Sequence, residues 1–389
     1  MKRPRNKPRA QRRWIAALPS LLAAAWLPAS AGEVPDAVAD ARLEAGINDG
    51  PYLVRDAEVD GHLAAIVARL QAANPDAATA PVRIHALRRS LPYALSLGNG
   101  SVYVATGSIA RLDDVAELAA LVAAELTAER RVHAQLRHFE TNDARWRRWF
   151  PDLFQTRDDN GNKFTHIVMN EDKQVLTAKQ TQADQDAIQW LWRAGYDPQA
   201  LVRALQRLHD AMLSEQHQQE SWSTDSAEWL ADPAALEGRI RALQALPVKD
   251  APAASLAPTE VEQRWFIALA HTWTMQHAAE ELDRGRGLQL QALLDRNDAR
   301  EGPTADAGIL RADNLRRTHT DAASLADVIA AYAAVLKLPG PPLRTFRELG
   351  FLSRRQGDET QARAYFQKYL ELAPDAADAP IIRSYLENP

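Results

Sequence analysis

Hydrophobic residues recur at helical spacing in several parts of the chain and alternate with polar residues in one part. From Asp56 to Ala73 the apolar positions follow a period of three to four residues, which predicts an amphipathic helix. The period changes to two over Val82–Ala86, Tyr93–Leu97 and Val102–Val104, with Gly98-Asn99-Gly100 between the last two segments. This alternation predicts a small sheet that contains a hairpin.

Helical patterns resume after the predicted sheet. The stretch from Ser108 to Gln135 has an almost wholly apolar first half, which predicts a helix buried in a domain core. Residues 139–172 are polar and aromatic by turns, and we interpret them as a long loop or lid. A second helix is predicted from Thr181 to Ala194, with Gly195 as its C-cap, and Asp197-Pro198 begins a third.

The last part of the sequence is helical and contains a repeat. Residues 247–258 are rich in Pro and Ala and form the predicted domain boundary. Tyr332 and Leu336 each precede an apolar counterpart, Phe366 and Leu370, by 34 residues, which indicates a divergent upstream copy of a repeat. Six positions of the last copy match the offsets of the 34-residue tetratricopeptide pattern: Phe346, Leu349, Gly350, Ala362, Phe366 and Pro374.

The first 31 residues differ from the rest and predict a signal peptide. Seven basic residues precede an apolar stretch from Trp14 to Leu27, and Ala29-Ser30-Ala31 has the form of a cleavage site. We therefore expect export and a periplasmic protein. A retained membrane anchor is the alternative, although Pro19 and Pro28 interrupt the run and a crossing needs about 20 residues. We expect no transmembrane segment in the mature chain.

Charge and cysteine content argue against several classes of function. Removing the signal peptide changes the net charge from −5 to −12, which disfavours a nucleic-acid-binding surface. The chain has no cysteine, so disulfides, thiolate zinc sites and Cys nucleophiles are excluded. A calcium loop at residues 158–161 is disfavoured because Lys163 and Met169 replace the Gly and Glu of the EF-hand pattern.

The order of the elements, together with Ala-Gly-Tyr-Asp-Pro at residues 194–198, resembles a family of zincin metallopeptidases. This family contains the CAAX prenyl proteases, the HtpX heat-shock protease and the periplasmic β-barrel assembly-enhancing protease. The resemblance implies an α+β fold. A metallopeptidase-like domain with a small sheet and long core helices would span residues 32–246, and a linker would follow at 247–258. An all-α tetratricopeptide-like domain would then span residues 259–389.

In that family the buried helix contains His-Glu-x-x-His, whose two histidines lie one turn apart and hold zinc while the Glu polarises its water. The matching segment here is Ala-Glu-Leu-Thr-Ala, so Ala124 and Ala128 replace the histidines and Glu125 keeps the general-base position. The third ligand position, four residues before Asp184, holds Gln180. All three ligand positions are therefore substituted, and the resemblance implies a protein without its family's zinc.

Two further positions, His133 and Arg239, also match the family pattern. Asp232 departs from it, because relatives have at this position a histidine that can gate the zinc. A relocated metal site on Glu125, Glu129 and His133, which share one helix face, is the alternative. The other histidines show no ligand spacing. Three serines near the hairpin lie in no Gly-x-Ser-x-Gly elbow and are interpreted as turn and cap residues: Ser96, Ser101 and Ser108.

These features predict an inactive metallopeptidase homologue, or pseudoprotease, that binds protein or unfolded polypeptide in the cell envelope. The resemblance adds outer-membrane protein quality control as the context. An edge strand expected within Tyr93–Ala105 would bind extended polypeptide through backbone groups, which needs no zinc. The repeats would offer a second surface. Glu125 needs a partner in an apolar helix, and Arg239 is the candidate.

Two alternatives remain at this point. One is an active zinc-dependent metalloendopeptidase with a rearranged site, which the metal content of the purified protein would reveal. The other is a repeat scaffold whose front domain is only a spacer, in which case residues 259–389 alone would bind the partner. The identity of the partner and the oligomeric state are not encoded in any motif of the sequence.

Overall fold

A computed structural model describes residues 36–75, 81–97, 99–128, 180–216, 233–247, 257–318 and 324–387. Several sequence predictions lie outside these residues. They are the signal peptide, the lid at 139–172 with its calcium alternative, most of the linker at 247–258, and the positions Glu129, His133 and Asp232.

The described chain is mostly helical and has a small three-stranded sheet, as expected for the α+β class. In the described residues, no helix combines the length and apolarity needed to cross a membrane. The elements are α1 (Asp36–Asp49), α2 (Ala57–Ala73), β1 (Arg83–Leu87), β2 (Ala94–Ser96), β3 (Ser101–Ala105), α3 (Thr106–Ile109), α4 (Val115–Ala128), α5 (180–193), α6 (Ala200–Gln216), α7 (Pro233–Gln244), α8 (Glu260–Asp283), α9 (Gly287–Glu301), α10 (Ala305–Thr318), α11 (Leu325–Val335), α12 (Arg344–Gln356), α13 (Glu359–Leu372) and α14 (Ala379–Glu387).

The three strands form a sheet in the order β1-β3-β2, with β1 parallel and β2 antiparallel to β3. Alternate residues of β3 face opposite layers, because side chains of a strand point alternately to its two faces. Val102 and Val104 join the core with α2 and α4, whereas Tyr103 packs with Ile47 of α1. The predicted hairpin between β2 and β3 is confirmed, and Leu97 N donates to Ser101 O at 3.0 Å.

The expected edge strand is correct for β2 and wrong for β3. Strand β3 is central and buried at every residue, because its backbone pairs with β1 on one side and β2 on the other. The outer side of β1 is partly covered by residues 52–54, since Val54 N donates to Ala86 O at 3.0 Å and Arg88 N donates to Tyr52 O at 2.7 Å. Strand β2 is the other edge of the sheet, and among the described strands it pairs with β3 alone.

The helices of the front half follow the predicted periodicity, with one correction. Helix α2 begins after Asp56, whose side chain accepts hydrogen bonds from two backbone N–H groups of the first turn. The pattern predicted from Ser108 is split into α3 and α4, because the Asp114 side chain accepts a hydrogen bond from Glu117 N at 2.8 Å and so caps α4. Within α4 every residue except Glu125 is buried, as the apolar pattern predicted.

The second predicted helix is α5, which covers 180–193. Gly195 follows it with φ +77°, a left-handed conformation that glycine adopts at low cost. Helix α6 begins at Ala200, and the Asp197 side chain accepts a hydrogen bond from Gln199 N at 2.9 Å just before it. The predicted C-cap and the predicted helix start are both confirmed.

The hydrophobic core continues past residues 247–258, so this segment does not separate two cores. Phe266, Trp273 and Leu294 of α8 and α9 belong to the same cluster as the sheet and α4. Side chains of α8 also bind backbone groups between α3 and α4. Thr274 Oγ1 donates to Ala110 O at 3.0 Å, and Gln263 Oε1 accepts from Val115 N at 3.1 Å. Helices α8 and α9 therefore share one hydrophobic core with the front half of the described chain.

The last helices pack as consecutive antiparallel neighbours. Gly357, with φ +88°, ends α12 before the turn into α13. A Cβ atom added at Gly350 would lie 2.4 Å from the Phe366 ring, so glycine allows α12 and α13 to approach closely. This helix-turn-helix pair agrees with the predicted spacing of the repeat, while its assignment as a tetratricopeptide unit stays a prediction.

We predict that Gly350→Ala destabilises the protein, because the added methyl group would overlap the buried Phe366 ring. Overpacking of this kind costs about 1–3 kcal/mol. The matched control is Gly238→Ala in α7, where a Cβ would meet no atom within 4 Å. It should raise the free energy of unfolding by about 0.5–1 kcal/mol through helix propensity. Urea unfolding of both variants measures the difference, and equal stabilities would contradict this packing.

Candidate functional site

Helix α4 presents one carboxylate at the position that the family resemblance marks as the general base. Glu125 is half-buried, whereas Ala124 and Ala128 on the flanking positions are 3% and 4% exposed. Thr127 Oγ1 donates to the carbonyls of Ala123 and Ala124 at 2.9 and 3.1 Å, so its hydroxyl is used within the helix. The two positions that would carry imidazoles offer only methyl groups to their surroundings.

Helix α5 contributes a buried amide and a buried carboxylate. Gln180 and Asp184 lie one turn apart on the same face, with 9% and 0% of their surface exposed. The Gln180 Nε2 group donates a hydrogen bond to Asp184 Oδ1 at 3.2 Å. The residue at the third ligand position therefore presents its N–H side to Asp184.

Arg239 of α7 completes the cluster. Its Nε donates to Asp184 Oδ2 and its Nη2 donates to Asp184 Oδ1, both at 2.8 Å, in a two-point pairing of guanidinium and carboxylate. Burial alone would lower the pKa of Arg239, but Asp184 raises it, with a further contribution from Glu125, and the net shift is upward. The guanidinium therefore stays charged and is shared electrostatically between two acids.

Four of the positions singled out from the sequence therefore come together, although they belong to three helices. They are Glu125, Gln180, Asp184 and Arg239. The charge of Glu125 acts on Arg239 and helps to raise its pKa, as the candidate pairing of these two residues implies, and Asp184 accepts two hydrogen bonds from the same guanidinium. His133 and Asp232 lie outside the described residues.

The residues at this site do not fit a zinc ion. Zinc is held by about three imidazole, thiolate or carboxylate ligands, whereas two ligand positions here are alanines and the third is an amide that donates to Asp184. Both oxygens of Asp184 are engaged by Arg239. In the part of the chain that the structure describes, no three His, Asp or Glu side chains are grouped so that they could hold a metal ion. The relocated site on Glu125, Glu129 and His133 extends beyond that part.

A second polar cluster, at the N-terminus of α4, was missed by sequence reasoning. Glu117 is fully buried, and its Oε2 accepts from Asp113 N at 2.8 Å while its Oε1 accepts from Arg203 Nε at 3.1 Å. Burial raises the pKa of the Glu117 carboxyl. Asp113 is bound by Arg207 of α6 at 2.5 Å and by Arg296 of α9 at 3.1 Å. Acids directly before an apolar helix were the available signal, but their arginine partners lie far away in the sequence.

A hydroxyl, an imidazole and a carboxylate also lie in series between α3 and α8. Thr106 Oγ1 is 3.0 Å from His277 Nε2, and His277 Nδ1 is 3.4 Å from Glu280, an order typical of activated nucleophiles. Thr106 is fully buried, however, and its Oγ1 also accepts from Arg89 N and donates to Arg89 O, both at 3.2 Å. The hydrogen bond to His277 lowers the pKa of Glu280. We assign this series to the attachment of α3 to α8.

We predict that Arg239→Ala lowers the free energy of unfolding by about 3–5 kcal/mol, because Asp184 would be left as a buried charge without its partner. The free energy of unfolding of Arg239→Lys should lie between those of the native protein and Arg239→Ala, because an ammonium group keeps the positive charge but loses the two-point pairing with Asp184. The control is Arg241→Ala on the same helix, whose ion pair with Glu237 is exposed, with an expected change within about 0.5 kcal/mol. Chemical denaturation measures all three, and equal effects at 239 and 241 would contradict the buried pair.

Comparison with known proteins does not assign the chain to a family. A scan against protein-family models gives no match, and a search of curated proteins gives no relative. The zincin resemblance therefore rests on the residues and their arrangement alone, and the conclusion that the site itself supports is a charge-paired cluster of helices α4, α5 and α7.

Proposed function

We propose that this protein is a non-catalytic, metallopeptidase-like factor that binds polypeptide in the cell envelope. The observation that supports it best is the pairing of Arg239 with Asp184 beside Glu125, because a side chain supplies the positive charge that zinc would supply in the resembling family. A guanidinium holds no bound water whose pKa it could lower toward neutrality, so it cannot replace the metal in peptide hydrolysis.

Polypeptide binding is proposed at β2, an edge strand of the described sheet. Ladder hydrogen bonds from Leu97 N to Ser101 O and from Ala105 N to Tyr93 O place Tyr93, Leu95 and Leu97 in hydrogen-bonded pairs with β3. The backbone groups of the alternate residue Ala94 therefore point away from β3, toward the position of an added strand. Strand addition uses these groups and needs no metal.

The alternative of an active enzyme would need ligands from outside the described residues. The third possibility, a repeat scaffold with a spacer in front, is disfavoured by the shared core. Helices α8 and α9 bury Phe266 and Leu294 against the front half, so residues 259–389 alone would expose a large apolar surface. The proposed export to the periplasm rests on the N-terminal segment. The proposed role in outer-membrane protein quality control rests on the resemblance to the zincin family.

We predict that the purified mature chain binds zinc more weakly than micromolar, because two methyl groups and one amide stand at the ligand positions. Restoring ligands in the triple variant Ala124→His, Ala128→His, Gln180→Glu should introduce zinc binding near one equivalent, since positions 124 and 128 share one helix face. Metal analysis and calorimetric titration measure both proteins. One equivalent of zinc on the native chain, with casein cleavage that a chelator stops, would establish the enzyme instead.

We predict that the mature chain binds a permanently unfolded polypeptide, such as reduced and carboxymethylated lactalbumin, without cleaving it and equally well with a chelator. Ala94→Pro should weaken this binding at least tenfold, because it removes an N–H that points away from β3 while leaving the ladder bonds in place. Ala94→Val keeps the N–H and is the matched control. Fluorescence anisotropy measures the affinities, and equal binding by both variants would reject strand addition at β2.

A further inference from the structure

An open groove of about 510 Å³ lies between α9, α10 and α11, away from the charge-paired cluster. Its lining includes small residues at helical spacing, Gly308 and Ala312 on α10 and Ala331 and Ala334 on α11. Gly308 also brings the two helices together, because a Cβ there would lie 3.2 Å from Val335 Cγ2. Small side chains on facing helices leave a volume that the chain itself does not fill.

The charges beside the groove come from α9 and α10. Among the described residues of its lining Arg311 is the charged one, and its guanidinium is bound by two aspartates of α9, Asp295 at 3.0 Å and Asp298 at 2.8 Å. This group of two carboxylates and one guanidinium carries one net negative charge. Asp295 is 61% exposed, so this charge is accessible from solvent.

The other described residues of the lining are uncharged and largely apolar, and they include Leu315 and Leu338. Leu288, one turn before Gln291 of the lining, is 76% exposed and extends the apolar surface along α9. A volume in this range suits a few apolar side chains of a ligand. The groove is open rather than enclosed, which suits a segment of a longer chain better than an isolated small molecule.

We infer that this groove binds an apolar polypeptide segment that carries a lysine or arginine, with its apolar side chains over Gly308 and Ala331 and its cation at Asp295. This inference deepens the proposed function and rests on it, because it adds a second site for the same class of partner. The groove would prefer certain ligand sequences, whereas strand addition at β2 depends on backbone groups and tolerates many sequences.

The test uses the full mature chain and two fluorescein-labelled, end-blocked peptides of twelve residues. Both contain leucine and alanine, and one carries two lysines where the other carries two glutamates. We expect the lysine peptide to bind at least tenfold more tightly, and Asp295→Asn to reduce this preference. Ala334→Trp should weaken binding of the lysine peptide at least tenfold, because the indole fills the groove from an exposed position of α11. Ala330→Trp, exposed on the same helix and outside the lining, is the matched control.

Each outcome has one meaning. Loss of binding in Ala334→Trp but not in Ala330→Trp, with a lysine preference that depends on Asp295, supports the groove. Equal binding by the two tryptophan variants, a preference for the glutamate peptide, or no binding by the native chain would overturn it. Failure of the proposed function is seen separately, if Ala94→Pro leaves unfolded-polypeptide binding unchanged in a chain whose groove is already blocked by Ala334→Trp. Circular dichroism of every variant confirms that the fold is intact.

Discussion

The burial of α4 is the constraint on which the rest of the described structure depends. Every residue of this helix except Glu125 is buried, so each charge at its ends has to be paired inside the protein. Arg203 of α6 binds Glu117 at the N-terminal end. At the other end Arg239 of α7 faces Glu125 while it binds Asp184 of α5. The helices around α4 are thus held by its charges as well as by its apolar surface.

This arrangement shows how acids of two neighbouring helices can be accommodated by a cation that belongs to the protein itself. Two acids close together in a low-dielectric interior repel each other and lose hydration, and a bound cation would offset both costs. Here a guanidinium fixed on α7 provides the offset permanently. The cluster then stabilises the packing of three helices. The same packing leaves the β2 edge in place, since that edge depends on backbone geometry alone.

Local sequence patterns predicted most helices and strands. Most of the incorrect predictions concern features that depend on contacts between residues far apart in the sequence. The periods of α2, α4 and the three strands, and the glycine after α5, were readable because they reflect burial on one face or a single dihedral angle. The break between α3 and α4 depends on a short-range cap by Asp114, a signal that the apolar pattern of the surrounding sequence obscured. The central place of β3 was not readable, because it depends on parallel pairing with a strand eighteen residues away. Nor does any local pattern near residues 247–258 show that Phe266 and Leu294 enter the front core.

The sequence by itself determined which ligand groups three positions can offer, because a methyl group at Ala124 or Ala128 and an amide at Gln180 have the same donor capacity in any fold. Only the tertiary structure decided which charges near these positions are paired. Asp184 and Arg239 are 55 residues apart, and their pairing depends on how α5 and α7 cross α4. The choice of partner for a buried charge is a property of the packed helices, since the chain contains 46 basic residues and only proximity selects one.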